Sequence, residues 1–261
     1  MKVYCCQFDI QWENKKANFA KVRSMLEATR PEAESLVLLP EMFAVGFSMN
    51  VGEIAEAANG ETEQFLSNTA RELNIYLMGG VVGTADAYRG RNEAVLFGTR
   101  GELVARYSKV QPFTPGGESQ NYQAGDRVVV VPWRGFSLAP FVCYDLRFPE
   151  LFRSAVRRGS NLMTVIANWP VARIDHWVAL LRARAIENQA YVAGVNRCGN
   201  DPKLAYNGHS IIVHPSGRIL ADAGEREGII HADINDQEVA TYRSQLPFLK
   251  DILSSYAALG T

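Results

Sequence analysis

Hydrophobic residues recur along the chain with two periods, which predict alternating strands and helices. Residues 61–73 place Phe65, Leu66, Ala70 and Leu73 on one side of a helix, whereas residues 35–39 form a continuous apolar run typical of a buried strand. By the same criteria, helices are predicted at residues 18–30, 61–73, 174–189 and 236–244, with another beginning near Pro149. Strands are predicted at residues 2–8, 35–39, 75–82, 93–98, 102–107, 127–131, 136–142, 161–167, 190–196, 210–214, 218–221 and 228–233.

The order of these elements favours a layered α/β fold. Strands, both single ones and hairpins, alternate with helices over the whole chain, and no internal repeat, low-complexity tract or linker interrupts them. Helices on the outside of a sheet core are the usual solution for such a pattern. We therefore expect one domain.

Composition narrows the classes of partner. With 261 residues, 47% of them hydrophobic, the chain can bury a large core. A net charge of -1 gives no electrostatic argument for nucleic acid or for an anionic membrane, so small neutral or anionic metabolites are the expected partners. The N-terminus enters a strand directly without a signal-peptide run, and no segment approaches about 20 consecutive apolar residues. These features predict a cytoplasmic protein with no membrane span.

The cysteines and histidines do not form a metal or disulfide pattern. The four cysteines contain no CxxC pair, and the adjacent Cys5 and Cys6 should point to opposite faces of their strand. The four histidines show no HxH or HExxH spacing, and no glycine-rich phosphate loop is present. We expect neither a metal nor a cofactor.

Three separated segments each place one reactive residue at the C-terminal end of a predicted strand. Glu41 follows the apolar run Leu-Val-Leu-Leu-Pro, Lys109 follows the strand at 102–107, and Cys143 ends the strand at 136–142. A carboxylate, an ammonium and a thiol are the groups needed to cleave an amide through a thioester. Each residue also has an ordinary alternative: a core cysteine, a solvated lysine and a structural carboxylate.

Several motifs together resemble those of the nitrilase, or carbon–nitrogen hydrolase, superfamily. The resemblance runs from about residue 2 to about residue 245, in the family's order. It is carried by Leu-Leu-Pro-Glu41, Tyr-Ser-Lys109, Cys143-Tyr-Asp-Leu-Arg-Phe-Pro-Glu150, Arg182-Ala-Arg-Ala-Ile-Glu-Asn-Gln-Ala-Tyr-Val192, Gly-Val-Asn-Arg197 and Gly208-His-Ser-Ile-Ile-Val-His-Pro-Ser-Gly217.

This resemblance implies a single-domain, four-layer α-β-β-α sandwich over residues 1–245, with residues 246–261 as a C-terminal tail that contacts another subunit. It also implies a catalytic triad of Glu41, Lys109 and Cys143, with Glu118 in support. Glu41 would exchange protons with the thiol, while Lys109 and the backbone N–H of Tyr144 would stabilise the oxyanion. Relatives commonly form dimers or larger homo-oligomers, for which the helix at 174–189 and the tail are candidate contacts.

The segment Ala167-Asn-Trp-Pro170, followed by His176-Trp and Arg-Ala-Ile-Glu-Asn-Gln, is most similar to the omega-amidase branch. That branch acts on ω-amides of 2-oxo acids such as 2-oxoglutaramate and 2-oxosuccinamate. One departure weakens this assignment, since many relatives have Lys-x-His-Leu-Phe where this chain has Lys109-Val-Gln-Pro-Phe113. An amidase for N-carbamoyl compounds or other acyl amides, and a non-catalytic binding homologue, remain the alternatives.

Four residues near these motifs are candidates for substrate binding. Phe43, Phe113 and Trp169 could form an apolar wall, or could be ordinary core aromatics. Arg173 could pair with a substrate carboxylate, or lie on the surface. For Asp145 and Arg147 we expect structural roles, as a loop-fixing ion pair or through hydrogen bonds.

Overall fold

Two six-stranded sheets lie face to face in the computed structural model, which describes residues 1–253. The first sheet contains β1 (Lys2–Gln7), β2 (Leu36–Leu38), β3 (Tyr76–Thr84), β4 (Gly90–Phe97), β5 (Leu103–Ser108) and β14 (Gly228–Asp233), in the spatial order β14-β1-β2-β3-β4-β5. The second contains β6 (Val131–Trp133), β7 (Phe136–Val142), β8 (Leu162–Ala167), β9 (Tyr191–Asn196), β12 (Ile211–Val213) and β13 (Ile219–Asp222), in the order β13-β12-β9-β8-β7-β6. A separate hairpin pairs β10 (Cys198–Asn200) with β11 (Ala205–Asn207).

Helices form the two outer layers. They are α1 (Lys15–Thr29), α2 (Val51–Ile54), α3 (Glu61–Leu73), α4 (Glu118–Asn121), α5 (Pro149–Arg157), α6 (Ile174–Asn188) and α7 (Asp236–Gln245). Apolar residues of α1 and α3 pack on the first sheet, and those of α5 and α6 pack on the second. The chain is therefore a single-domain, four-layer α-β-β-α sandwich, as predicted. Within residues 1–253, no helix combines the length and the apolar character needed to cross a bilayer.

The alternation of side chains along β1 shows how one strand serves two cores. Val3 and Cys5 pack in the core between the sheets, whereas Tyr4 and Cys6 pack toward the helices. The prediction that Cys5 and Cys6 point to opposite faces is confirmed. A contact of 3.3 Å between the Thr164 hydroxyl on β8 and the Met78 sulfur on β3 joins the two sheets directly.

Strand direction decides where the reactive residues meet. Strands β1, β2 and β3 are parallel, while β4 runs antiparallel to β3 and β5 antiparallel to β4. Strand β5 therefore runs in the same direction as β2, and the segments after both strands emerge at one edge of the sheet. In the second sheet β7, β8 and β9 are parallel, so their C-terminal ends also share one edge.

Most predicted elements are present, and α3 has the predicted bounds. The strand predicted at residues 127–131 is wrong, because only Val131–Trp133 pairs with β7. A tight turn at Arg134 and Gly135, both with positive φ, fixes the register. In that register Val129 would face Pro140, which has no N–H to donate, so the next hydrogen-bonded pair after Val131 and Leu138 cannot form. The hairpin β10–β11 was not predicted.

Candidate active site

Glu41 lies in a tight turn at the end of β2 and is fully buried. The next residue, Met42, has a φ of 45°, in the left-handed region, so the backbone reverses at this point. Gly80 on β3 packs against the turn, and its N–H donates to the carbonyl of Pro40 at 3.1 Å. A Cβ at position 80 would lie 2.6 Å from the Glu41 Cα, so only glycine allows this approach.

Lys109 follows β5 and lies between two buried carboxylates. Its Nζ donates to Glu41 Oε1 at 2.9 Å and to Glu118 Oε2 at 2.8 Å. Glu118, at the start of α4, is fully buried and also accepts the backbone N–H of Phe113 at 2.6 Å. The structure thus brings Glu41, Lys109 and Glu118 together, and Glu118 is not a solvated loop residue.

An asparagine that sequence analysis did not identify completes this cluster. Asn92 on β4 donates through Nδ2 to Glu41 Oε1 and to Glu118 Oε1, each at 2.7 Å. Its position near the start of an antiparallel strand places it at the edge where Glu41 and Lys109 emerge.

Cys143 begins a 3₁₀ turn, Cys143–Arg147, immediately after β7. Its φ is 46°, a left-handed conformation that a non-glycine residue rarely adopts. The Sγ atom lies 3.8 Å from the carbonyl oxygen of Asn168, at the end of β8. The backbone N–H of Asn168 donates to Glu41 Oε2 at 2.9 Å, so Asn168 contacts both the thiol and the carboxylate.

The electrostatic environment keeps the resting thiol protonated and the lysine charged. Burial raises the pKa of Cys143 well above its usual value, and the charge of Glu41 raises it further, with only partial opposition from Lys109. Burial alone would lower the pKa of Lys109, but Glu118 and then Glu41 outweigh it and raise that pKa well above its usual value. A base must therefore remove the thiol proton before Cys143 can attack.

Asp145 fastens the cysteine turn to the segment that carries the lysine. It is fully buried and accepts three hydrogen bonds, from the Tyr107 hydroxyl at 2.8 Å, the Gln111 N–H at 2.9 Å and the Val142 N–H at 3.0 Å. Burial raises the pKa of its carboxyl to about 6. Of the two structural roles expected for Asp145, an ion pair or hydrogen bonds, the structure shows the hydrogen bonds.

A pocket opens beside Cys143. Its walls include Phe113, Trp169 and Arg173, as well as Phe47, Leu204 and Tyr206, which sequence analysis did not identify. Trp169 is held by Asn196, whose side chain accepts its backbone N–H at 2.7 Å. Tyr144 also lines the pocket, so its backbone lies beside the thiol.

Phe43 does not belong to this pocket, which corrects the expectation for that residue. It is fully buried in the core between the first sheet and its helices, with ring centroids 6.0 Å from Phe19 and 6.1 Å from Phe65. Because Met42 reverses the chain, the side chain that follows it points away from the catalytic edge.

Two arginines lie in the pocket walls without an acidic partner. Arg173 lies 5.6 Å from the centroid of the Phe113 ring, and Arg147 lies 4.8 Å from that of Trp169. Arg147 also contacts His176 Nδ1 at 3.2 Å. In the part of the chain that the structure describes, neither arginine forms a salt bridge, so two positive charges face the pocket uncompensated.

No metal site accompanies these groups within residues 1–253, where no three or more His, Cys, Asp or Glu side chains cluster in a way that could hold an ion. Sequence analysis missed Asn92, Asn168 and Arg147. The signal for Arg147 was its place four residues after the cysteine, on a turn that must face the substrate. Asn92 gave no signal, because its role depends on contacts from three other segments.

Comparisons with known proteins show which proteins this chain resembles. The model of the carbon–nitrogen hydrolase family matches residues 2–244. The chain is 34% identical over 251 residues to the 2-oxoglutaramate amidase of Bacillus subtilis (strain 168), covering 96% of both chains. It is 33% identical over 256 residues to the omega-amidase NIT2 of Homo sapiens, covering 94% of this chain and 92% of the human protein. Among solved structures, XC1258 of Xanthomonas campestris, a CN-hydrolase superfamily protein with an arsenic adduct in its active site, superposes with a TM-score of 0.91 at 32% identity and 97% coverage of each chain.

Proposed function

This chain belongs to the carbon–nitrogen hydrolase family and is a hydrolase that acts on the carbon–nitrogen bonds of amides, and we propose that it is a cytoplasmic, cysteine-dependent omega-amidase. Its substrates would be 2-oxoglutaramate or 2-oxosuccinamate, which it would convert to the dicarboxylate and ammonia. One observation carries the proposal: a thiol beside a buried carboxylate–lysine cluster opens onto a pocket with two arginines that have no acidic partner among residues 1–253.

The first half of the proposed reaction forms a thioester. Glu41 removes the thiol proton as Cys143 Sγ attacks the amide carbonyl carbon. The carbonyl π electrons move to oxygen, and the resulting oxyanion is stabilised by the Lys109 ammonium and the Tyr144 N–H. Glu41 then gives its proton to the amide nitrogen as the C–N bond breaks, so ammonia leaves and an acyl thioester remains.

The second half returns the enzyme to its starting state. Glu41 takes a proton from water, and the hydroxide attacks the thioester carbonyl carbon. The tetrahedral intermediate expels Cys143 as a thiolate, and Glu41 returns the proton to it. Lys109 keeps its charge throughout. Burial alone would lower its pKa, but Glu118 and Glu41 outweigh burial and raise that pKa well above its usual value. Glu118 acts by holding Lys109 and the Phe113 backbone in place.

Substrate recognition would rest on the pocket walls. An acyl chain bound to Cys143 would lie among Phe113, Trp169 and Tyr206, with its far carboxylate near Arg173 and Arg147. A carboxylate would neutralise guanidinium groups that have no acidic partner, which favours an acidic amide over a neutral one. The names of the omega-amidase relatives support the same substrate class.

Ammonia release from a panel of amides tests the proposal. The panel contains 2-oxoglutaramate, 2-oxosuccinamate, glutamine, asparagine, N-carbamoyl-β-alanine and a neutral aliphatic amide, with Cys143→Ala as the blank. We expect rapid release from the 2-oxo amides only, and none from the variant. Preference for the carbamoyl compound would overturn the substrate assignment, and release that persists in Cys143→Ala would overturn the mechanism.

The same panel tests the role of Arg173. In Arg173→Met, KM for 2-oxoglutaramate should rise about 100-fold through loss of a charge-assisted pair, while the slow rate with the neutral amide stays unchanged. Arg127→Met is the matched control, because Arg127 is an exposed arginine paired with Asp126 away from the pocket.

A further inference from the structure

Asn92 occupies a position in the site that no step of the proposed reaction yet uses. Its side chain is 2% exposed and points toward the catalytic edge. The alternation of β4 sends the neighbouring Glu93 to the opposite face, where it pairs with Arg106 and Ser108. Asn92 is therefore the residue of this strand that faces the reactive groups.

The Nδ2 group of Asn92 joins the two buried carboxylates. It donates one hydrogen to Glu41 Oε1 and the other to Glu118 Oε1, both at 2.7 Å. Lys109 joins the same carboxylates on the other side, through Glu41 Oε1 and Glu118 Oε2. The four side chains form a closed ring in which one ammonium and one neutral amide hold two negative charges.

This ring makes the two oxygens of Glu41 unequal. Oε1 already accepts from both Lys109 and Asn92, so protonating it would displace a donor. Oε2 accepts the Asn168 backbone N–H at 2.9 Å and a longer contact of 3.4 Å from Asn168 Nδ2, and the carbonyl of the same Asn168 contacts Cys143 Sγ. The oxygen on the side of the thiol thus has one short donor and one long one, whereas Oε1 has two short donors, so a proton displaces less at Oε2.

We propose that Asn92 is a positioning residue that occupies Glu41 Oε1 and holds Glu118 beside it, so that Oε2 alone exchanges protons with Cys143. The inference rests on the proposed function, because it assigns an atom to the proton transfer described there. A neutral double donor suits this position. A cation at this position would stabilise the Glu41 carboxylate and weaken it as a base, and a carboxylate would repel both glutamates.

The titratable groups around this position come from four segments. Glu41, Lys109, Glu118 and Cys143 form the cluster, and Tyr122 packs beside it with its hydroxyl donating to the Ser48 carbonyl at 2.6 Å. Burial and the charge of Glu118 raise the pKa of Tyr122, so it stays neutral through the range in which Glu41 and Cys143 act. Asp145, which fixes the cysteine turn, has a pKa of about 6, so a change in the pH profile is assigned to the cluster only as a difference between wild type and variant at the same pH.

Two variants test the proposal through pH profiles of kcat and KM for 2-oxoglutaramate. Asn92→Ala removes a hydrogen-bond donor that favours the ionised form of Glu41, so the acidic limb of kcat/KM should move to higher pH. We expect kcat to fall about 100-fold at the optimum through misplacement of the base. KM should change less than about twofold, because Asn92 does not line the pocket.

Asn92→Asp keeps the shape and changes the charge. It can donate a hydrogen bond only while its carboxyl is protonated, so its residual activity should decline with rising pH across the range in which the wild-type rate is constant. Asn18→Ala is the matched control. Asn18 is also a buried double donor, to the carbonyls of Gln11 and Ala44 at 2.8 Å, but these lie outside the cluster. The Asn18→Ala substitution should lower the free energy of unfolding without moving the acidic or the basic limb of the kcat/KM profile.

Alkylation of Cys143 by iodoacetamide separates this inference from the proposed function, since it needs no amide substrate. In Asn92→Ala the pH midpoint of alkylation should also rise. Without the amide donor of Asn92, the negative charge of the Glu41 carboxylate near the thiol is less stabilised and disfavours the thiolate more strongly. If the wild type hydrolyses no amide but this midpoint moves, the proposed function fails and the inference stands. Unchanged midpoints and limbs in both folded variants, with an equal loss of rate at every pH, would overturn the inference.

Discussion

Cys143 differs from an ordinary core cysteine in its backbone conformation, and that conformation makes its thiol available to a substrate. A left-handed residue with a Cβ is strained by roughly 1–3 kcal/mol, so the surrounding contacts must hold it there. Asp145 supplies much of that hold, because it accepts the Val142 N–H on one side of the cysteine and binds the Tyr107 hydroxyl and the Gln111 N–H on the other. The strained turn and the buried carboxyl are therefore parts of one arrangement.

The ionisation of Asp145 should make stability depend on pH. Burial raises its pKa from 3.8 to about 6 in the folded protein. Between these values the unfolded chain has released the proton and the folded chain has kept it, so folding stability falls as pH rises. The full effect is about 3 kcal/mol, of which about 2 kcal/mol falls between pH 4.5 and 7.5.

Denaturant unfolding of wild type and Asp145→Asn at several pH values measures this effect. The wild type should lose about 2 kcal/mol relative to the variant between pH 4.5 and 7.5, because asparagine does not titrate. Asp126→Asn serves as the control, since Arg127 lowers the pKa of that exposed carboxyl and no such loss is expected. A constant difference between wild type and Asp145→Asn over the whole range would contradict the assignment.

Among the elements, β3 positions Glu41 because Gly80, the residue of β3 that packs against the Glu41 turn, has no side chain. A Cβ on Gly80 would lie 2.2 Å from the Met42 nitrogen and 2.6 Å from the Glu41 Cα, and both are backbone atoms that cannot rotate away. The strand therefore serves as a fixed surface against which the Glu41 turn rests.

Replacing Gly80 with alanine should displace that turn. We expect kcat to fall about 100-fold and the free energy of unfolding to fall by about 1–3 kcal/mol. Gly228→Ala is the matched control, because Gly228 lies in β14 of the same sheet and no atom lies within 4 Å of its added Cβ. Steady-state kinetics and denaturant unfolding measure both changes, and full turnover in Gly80→Ala would show that this contact does not position Glu41.

The elements that sequence predicted well are those whose burial is periodic. Helix α3 has its apolar side chains on one face, and β7 and β14 also have the predicted bounds. The error at residues 127–131 arose because four consecutive valines suggest a strand, whereas pairing depends on the partner strand and ends at Leu138, before Pro140. The hairpin β10–β11 was missed because its three-residue strands are short and largely polar. Its position beside the pocket comes from tertiary contacts.

At the scale of the whole molecule, the position of the three reactive residues followed from strand ends. Glu41 and Lys109 emerge at one edge of the first sheet because β2 and β5 run in the same direction, and the facing sheet brings Cys143 to them. The sequence could place each residue at the end of a strand, and the family resemblance implied that they meet. It could not predict the role of Asn92, since that role is not visible until distant segments lie side by side.

The outer surface of the sandwich leaves apolar side chains exposed where α6 meets the C-terminal segment. Ile186 on α6 is 49% exposed and Phe248 is 59% exposed. The Gln189 amide donates to the Leu246 carbonyl at 2.7 Å, so the helix and this segment form one continuous surface. The tail predicted at residues 246–261 begins at this surface, and residues 254–261 lie outside the described part of the chain.

We expect this surface to bind a second copy of the chain, because burying it would remove two large exposed apolar side chains from water. Light scattering should give about twice the chain mass of 28.9 kDa for the wild type, and a monomer for the double variant Ile186→Asp, Phe248→Asp. Leu103→Asp is the matched control, since Leu103 is 47% exposed on the edge strand β5, away from α6. A double variant that keeps the wild-type mass, or a Leu103→Asp variant that dissociates, would place the subunit contact elsewhere.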